Sequence, residues 1–433
     1  MGKPLNIGIA GLGTVGTGVL HILDRNADLL TARGGRPMRV TAVSARDRAK
    51  DRGVDLSGAL WCDDPLDMVD DPAVDVIVEV IGGAEGVARL LVERALAVGK
   101  PVVTANKALL AEHGGRLAEA AAAGDTTLGY EAAVAGGIPV IKSVREALAA
   151  NRISSLHGIL NGTCNYILTE MRQTGRNFDE VLKEAQELGY AEADPTFDVD
   201  GIDAAHKLAI LAGLAFNGTV RFEDVHVEGI RKIGAEDIAF AEELGFRIKL
   251  LGIARADNGE IELRVHPALV RRSAPIAAVD GVFNAVVVVG DFVGEVMLEG
   301  AGAGAGPTAS AIVGDLLDVA RGIRVPVLGT VERTLKPLAV RDLDRHRGAY
   351  YLRLMVKDRP GVIAAISAHM RDQDISLESL IQRGRSSTDA VPVVITTHET
   401  SEAAIRAVLA KIRQESAVVE EPHMIRIEPF NGR

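Results

Sequence analysis

The chain has 433 residues, enough for two to four domains at about 100–200 residues each, and 47 % of it is apolar. Its net charge of −11 argues against a surface built to coat nucleic acid or an anionic membrane. Two cysteines, Cys62 and Cys164, lack CxxC or Cys/His spacing, which disfavours a disulfide framework or a zinc site and points to a reducing compartment. No apolar run reaches the ~18 residues of a spanning helix. The N-terminus lacks a secretory signal pattern, so a cytoplasmic protein is expected. Only 3 % of residues are aromatic and 46 are glycine, so the core must be aliphatic and the glycines positional.

In chain order, residues 5–10 read as a buried strand, 14–30 as a helix and 39–44 as a strand. A continuous apolar run at 74–81, a helix at 86–97, a short strand at 101–104, an Ala-rich helix at 109–123 and a strand at 126–130 follow. This alternation predicts right-handed βαβ crossovers and a Rossmann-type doubly wound parallel sheet over residues 1–135. From 136 to 325 the pattern changes to amphipathic helices (139–150, 165–174, 178–188, 202–215) with later β-rich segments (261–266, 285–289), a separate α+β domain. The glycine-alanine run 300–306 ends at Pro307, and a helix is expected over 308–320. Pro at a helix start favours an ordered loop there over a flexible linker. Residues 326–349 read as a connector. The order strand 350–357, helix 361–371, strand 375–382, strand 390–397, helix 401–414 and strand 424–428 is the ferredoxin-like βαββαβ arrangement, over a unit spanning 350–433.

Gly11-Leu12-Gly13-Thr14-Val15-Gly16 follows the first strand and opens a helix, the context in which GxGxxG cradles a pyrophosphate at a helix N-terminus. The second strand ends Val43-Ser44-Ala45-Arg46. No carboxylate stands at its tip to bind ribose hydroxyls, and Arg46 can meet a 2′-phosphate, which favours NADP; Asp47 keeps NAD open. Thr104-Ala105-Asn106-Lys107 lies at the C-terminal end of a strand, where open α/β sheets bind ligands, although an exposed lysine at a helix start is the plainer reading. Between Gly189 and Lys207 the carboxylates Glu192, Asp194, Asp198, Asp200 and Asp203 crowd an acidic loop and the next helix start. Asp203 and Lys207, four residues apart, share a helical face; a surface salt bridge explains that pair but not the carboxylate density.

Together the glycine loop, Thr104–Lys107, the stretch Glu131 to Pro139, Gly158 to Tyr166 and the block Ala185 to Lys207 resemble the homoserine dehydrogenase family. The resemblance runs in order from residue 5 to about 325 and is most specific in the last block. It implies that Lys107 and Lys207 flank the substrate, with Lys207 assisting proton transfer at the substrate oxygen. Glu192, Asp198 and Asp203 become substrate-site carboxylates. Thr104, Lys107 and Gly302 or Gly304 become cofactor contacts. Glu131 with Val134, Gly136 and Ile138 is similar to the family's monovalent-cation site, expected for Na+. Hydride transfer to or from a primary alcohol needs a proton carrier and positive charge near the oxyanion, roles a lysine can fill where no zinc ligands are present.

The C-terminal unit resembles an ACT domain through Val356-Lys357-Asp358-Arg359-Pro360-Gly361-Val362 and Asp374-Ile375-Ser376. Asp358, Gly361 and Asp374 would then hold an amino acid, L-threonine as pathway end product. Asp358 and Asp374 stand where amino-acid-binding examples often have Asn, and a purely structural dimerisation module is the alternative. Also implied are reduction of L-aspartate 4-semialdehyde to L-homoserine, a monofunctional chain, and a homodimer or homotetramer with no nucleic-acid or membrane partner. Two other readings stand beside this one. A non-catalytic amino-acid sensor predicts loss of a key lysine or glycine. A different NADP oxidoreductase with an ACT tail, such as a 2-hydroxy-acid enzyme, would need an Arg/His/Glu set instead of the acidic block.

Overall fold

The computed structural model describes residues 2–330, 336–383 and 390–430. Strands β1 (Leu5–Ala10), β2 (Met38–Ser44), β3 (Leu60–Trp61), β4 (Val76–Glu79), β5 (Val102–Thr104) and β6 (Leu128–Gly129) form a parallel sheet in the order β3-β2-β1-β4-β5-β6. The order reverses between β1 and β4, so the ligand crevice of such a sheet lies beyond the carboxyl ends of those strands. The expected helix over 14–30 is broken at Asn26, whose backbone leaves the helical region (φ −109°, ψ 21°), into Thr14–Arg25 and Ala27–Gly34. The helix Ala305–Arg321 returns from the far side of the chain to lie against Thr14–Arg25; a Cβ on Gly18 would come within 2.9 Å of the Ala305 carbonyl oxygen. That contact is why the glycine-alanine run is ordered.

The remaining strands are β7 (Ile153–Ile159), β8 (His226–Val227), β9 (Phe246–Asp257), β10 (Glu260–Arg271), β11 (Phe283–Gly290), β12 (Gly294–Ala301), β13 (Arg347–Lys357), β14 (Leu377–Gln382), β15 (Ala390–Thr397), β16 (Thr400–Ser401) and β17 (His423–Glu428). They build one mixed sheet along the path β12-β11-β7-β9-β10-β17-β13-β15-β14. Residues alternate across it: Val286 and Val288 face the helices Gly162–Thr174 and Ile202–Ala215, while Ala285 and Val287 pack with Ala274–Val279 on the other face. Within the C-terminal unit, β17-β13-β15-β14 with helices Val362–Arg371 and Glu402–Ile412 is the ferredoxin-like arrangement.

The C-terminal unit is joined to the preceding domain by more than a tether. Its last strand pairs parallel with β10, matching Ala268 to Arg426 and Val270 to Glu428. Of the connector, residues 331–335 lie outside the described residues. Beyond them Pro337 bridges to Thr219 and Val340 to Ile261, and Arg341 N–H donates to the Ile261 carbonyl at 2.8 Å. No helix among the described residues is long and apolar enough to cross a membrane.

Candidate active site

Two helix starts face each other across the interdomain crevice. On the nucleotide side, Asn106 caps the helix Lys107–Ala123 by accepting from Leu109 N–H at 3.1 Å, and its amide donates to the Gly83 carbonyl at 2.7 Å. The Thr104 hydroxyl donates to the fully buried carboxylate of Glu79 at 2.6 Å and accepts from Asn106 N–H at 2.9 Å. Thr104 is therefore committed to shaping this turn, and the turn sets Lys107 at the first position of its helix, its ammonium 5.3 Å from the centre of the Phe197 ring.

On the substrate side, Asn161 caps Gly162–Thr174 by accepting from Cys164 N–H at 2.8 Å. Its amide nitrogen donates at 2.8 Å to both Asp198 Oδ1 and Asp203 Oδ2. Gly201, at φ +84°, turns the chain into the helix Ile202–Ala215, which carries Asp203 and Lys207 one turn apart. Lys207 Nζ lies 2.8 Å from Asp203 Oδ2 and 2.7 Å from the Leu160 carbonyl oxygen. Lys107 Nζ, from the other domain, lies 2.6 Å from Asp203 Oδ1.

Asp203 thus receives both lysines and Asn161 while only 3 % exposed. Burial alone would push its carboxyl up; Lys207 and Lys107 outweigh burial and hold it well below the usual carboxylate range. Asp198 moves the other way: burial raises it and the Asp203 charge adds to the rise, against the Asn161 hydrogen bond. An ammonium carries three N–H donors, and Lys207 uses two of them on Asp203 and Leu160. Among the described residues the third has no partner. Glu192 does not join this cluster: its side chain is exposed, and among the described residues its engaged group is the backbone carbonyl, which accepts from Gln186.

At the glycine loop, a Cβ on Gly11 would stand 2.5 Å from the Val80 carbonyl oxygen, so the loop lies flat on β4. The space over Gly13 is open, and Thr14, Val15 and Gly16 begin the helix beneath it. Arg46 is exposed just past the end of β2. Beside it Arg48 and Arg52 stack over Trp61, and Arg52 Nε donates to the Leu12 carbonyl at 3.1 Å. Gly302 packs against the Asn284 side chain, and Gly304, at φ +117°, precedes the helix Ala305–Arg321.

The buried Glu131 carboxylate accepts from Ile141 and Lys142 N–H, both at 2.8 Å, which ties down the start of a helix expected over 139–150. That helix is observed as Val140–Lys142 followed by a wider π-turn, Ser143–Ala147. Burial pushes Glu131 up to about 7, against those two N–H groups. The Ile138 carbonyl accepts from Val140 N–H, whereas no described residue donates to the Val134 or Gly136 carbonyls. In the C-terminal unit Asp358, Gly361 and Asp374 are all exposed, with Asp358 accepting from Gln382 at 3.2 Å. Sequence reasoning assigned no role to Asn161, Asn106, Glu79 or Arg52. The first two had a readable signal, since Asn immediately before a helical run is a cap.

The model of the homoserine dehydrogenase family matches residues 139–317, that of its NAD-binding domain 11–131 and that of the ACT domain 350–417. The homoserine dehydrogenase of Neisseria gonorrhoeae is 47 % identical over 99 % of this chain and 100 % of its own length. That of Pseudomonas aeruginosa is 45 % identical, again over 99 % of this chain and all of its own. The crystal structure of a homoserine dehydrogenase from Thiobacillus denitrificans superposes with a TM-score of 0.93 at 49 % identity, covering 99 % of each chain. The chain belongs to the homoserine dehydrogenase family. It is an oxidoreductase with a nicotinamide-cofactor domain and an ACT domain.

Proposed function

We propose that the enzyme reduces L-aspartate 4-semialdehyde to L-homoserine, the reversible step leading to threonine, methionine and isoleucine, with Lys207 giving the proton. The observation that carries this is the single carboxylate, Asp203, bridging a lysine from each domain. When bound, a reduced nicotinamide supplies the hydride to the aldehyde carbon. Lys207 donates its free N–H to the oxygen as negative charge builds there, and Asp203 with the Leu160 carbonyl keeps the ammonium aimed. Lys107 adds positive charge from the opposite wall, and Asp198 with Glu192 offers carboxylates to the substrate ammonium.

The residues present fit the cofactor: the space over Gly13 is open at a helix N-terminus where a pyrophosphate can sit, and the run with Gly302 and Gly304 leads into the helix Ala305–Arg321 that packs on the helix opened by that loop. NADP is favoured over NAD by the exposed Arg46 with Arg48 and Arg52 nearby. A monovalent cation, Na+ by preference, fits the oxygen-only set of Glu131 and the Val134, Gly136 and Ile138 carbonyls, and would keep the buried carboxylate ionised. The ACT domain supports feedback inhibition by L-threonine, with Asp358, Gly361 and Asp374 as the turn of that module. On this reading the enzyme works in the cytoplasm as a homodimer or homotetramer. The test follows NADPH and NADH absorbance with L-aspartate 4-semialdehyde, with and without L-threonine. Turnover preferring NADPH, and slowed by threonine, is expected; no oxidation of either cofactor ends the proposal.

A further inference from the structure

The loop from Glu192 to Asp200 is crowded with carboxylates, yet Phe197 within it is aromatic and 40 % exposed. The ring is nevertheless occupied on two sides. The Lys107 ammonium, from the other domain, lies 5.3 Å from its centre. The His206 ring packs 5.6 Å away, tilted by 44°, and on the far side of His206 stands Phe222 at 4.4 Å. Phe222, His206 and Phe197 thus form a row of rings that ends on a cation. His206 is buried one position before Lys207, and burial lowers its imidazole below the usual range, so it packs there as a neutral ring.

The backbone beneath Phe197 is held as well as the ring. Asp198 N–H and Val199 N–H both donate to the Pro195 carbonyl, at 3.0 and 2.9 Å, and Asp200 N–H donates to the Thr196 carbonyl at 3.1 Å. The Asp198 carboxylate is pinned by the Asn161 amide at 2.8 Å. Lys107 is placed differently from Lys207. Its side chain is 34 % exposed, against 10 % for Lys207, and its counter-ion Asp203 belongs to the other domain. Lys207 has the Leu160 carbonyl as a second anchor. For the Lys107 ammonium the second contact among the described residues is the Phe197 ring. A cation within about 6 Å of a ring centre is attracted by the ring quadrupole, and more strongly as water is excluded.

We propose that Phe197 is a positioning residue of the reaction: its ring, braced by His206 and Phe222, holds the Lys107 ammonium on Asp203 and so keeps the positive charge of the nucleotide domain at the substrate oxygen. Phe197 acts through Lys107 and has no part of its own in proton transfer. Without the ring, Asp203 alone holds a lysine that water draws out of the crevice, and the charge stands at the oxygen for part of the time. The chemical step slows, while NADPH affinity, set at the glycine loop, is kept.

This rests on the assignment of Lys107 to the reaction above, and the experiment separates the two. Steady-state kinetics with L-aspartate 4-semialdehyde and NADPH compare the full-length wild type with Phe197→Leu, Phe197→Tyr, Lys107→Met and the Phe197→Leu/Lys107→Met double variant. Leu keeps the apolar bulk without the ring, at a position exposed enough to leave the fold intact. Phe197→Leu is expected to lower kcat about five- to thirtyfold, the span of a cation–ring attraction in a partly dry site, with NADPH affinity unchanged. Phe197→Tyr restores the rate, and in the Lys107→Met background the loss disappears. In enzyme labelled at lysine Cε, the Lys107 signal, identified by its absence from Lys107→Met, lies upfield in the wild type and moves downfield in Phe197→Leu. A Phe197→Leu enzyme within about twofold of wild type, a Tyr variant as slow as the Leu variant, an equal loss with and without Lys107, or an unmoved Lys107 signal overturns the role of Phe197 and leaves Lys107 in the reaction. Wild-type turnover by Lys107→Met overturns both.

Discussion

Asp203→Asn replaces a buried carboxylate by a neutral amide of nearly the same shape at the point where both lysines converge. Lys207, 8 % exposed, keeps the Leu160 carbonyl but loses its counter-ion; Lys107, with a third of its side chain in solvent, recovers part of its loss from water. Stranding one partner of a buried pair costs about 3–5 kcal/mol, and an exposed pair under about 1 kcal/mol, so a loss of about 4 kcal/mol is expected, nearly all of it from Lys207. Scanning calorimetry then gives a melting temperature lower by about 10 °C. Catalysis falls further. With one of its two anchors gone, Lys207 no longer holds its free N–H at the substrate oxygen, and kcat/KM drops about 10²–10³-fold, within the range a positioned general acid supplies. Lys207→Met and the double variant complete a cycle: if Asp203 acts through Lys207, the double variant is no slower than Lys207→Met alone. An Asp203→Asn enzyme retaining a third or more of wild-type kcat/KM, or multiplicative losses in the double variant, would refute the reasoning.

His157 is buried and stacked on Phe430 with ring centres 3.7 Å apart; burial pushes it down to about 4, against the attraction of Glu428. Its unfolded form protonates near pH 6.5, so the stability it contributes is complete above that value and is lost as pH falls from about 6.5 to about 4, an effect of up to about 3 kcal/mol. His157→Phe keeps the stack, and urea titrations of that variant between pH 4 and 6.5 should show a flatter pH dependence; an unchanged slope would exclude His157 as its source. At Gly302 a Cβ would fall 2.1 Å from Asn284 Cγ, and neither amide atom of buried Asn284 has a partner among the described residues. Gly302→Ala should therefore weaken NADPH binding, read by fluorescence quenching, at least tenfold, and Asn284→Ala should restore it in part; tight binding by Gly302→Ala alone removes the run from the cofactor site. Arg46→Asp should lower kcat/KM for NADPH relative to NADH by about 10–100-fold, and an unaltered ratio would assign the 2′-phosphate to other groups.

The parts of the fold legible in the sequence are those whose signal is local. A strand, a flat glycine turn and a helix start lie within residues 5–16, and a carboxylate and a lysine four residues apart on one helix, Asp203 and Lys207, announce a shared face. Meeting Lys107 there is a different matter, because that pair closes across two domains and nothing in the spacing of 107 and 203 records it. Only the family resemblance brought them together. β9 escaped notice because its run of apolar residues is buried on both faces and contains Lys249, which reads as surface. In the structure that ammonium is buried against Asn165, the Val279 carbonyl and Asp280, partners drawn from two separate segments. The acidic loop is legible as a cluster but not in its geometry: the cap at Asn161 and the turn at Gly201 tie Asp198 and Asp203 to one amide, while the Glu192 side chain stands exposed, a difference that carboxylate density does not record.

The pairing of β17 with β10 changes what the C-terminal unit can do. A module hung on a linker could act only by dimerising or by moving as a body. Here the unit donates the strand that covers the edge of β10, and its charged residues complete charges of the other domain: Glu428 on Arg264 at 2.7 Å and Arg426 on Glu228 at 2.9 Å. These groups are desolvated, so each is costly unless its partner arrives with the correct register. Register between β10 and β17 is thereby fixed to the residue, and a small displacement of β17 is carried into Glu228, hence into Gly229 and the loop that holds Asp198. The path from Glu228 to the site is short: Gly229 packs on the Val199 carbonyl, which accepts from Ile230 N–H, and Asp198, the neighbour of Val199, shares the Asn161 amide with Asp203, so the register of β17 bears on the substrate side through close contacts and single hydrogen bonds.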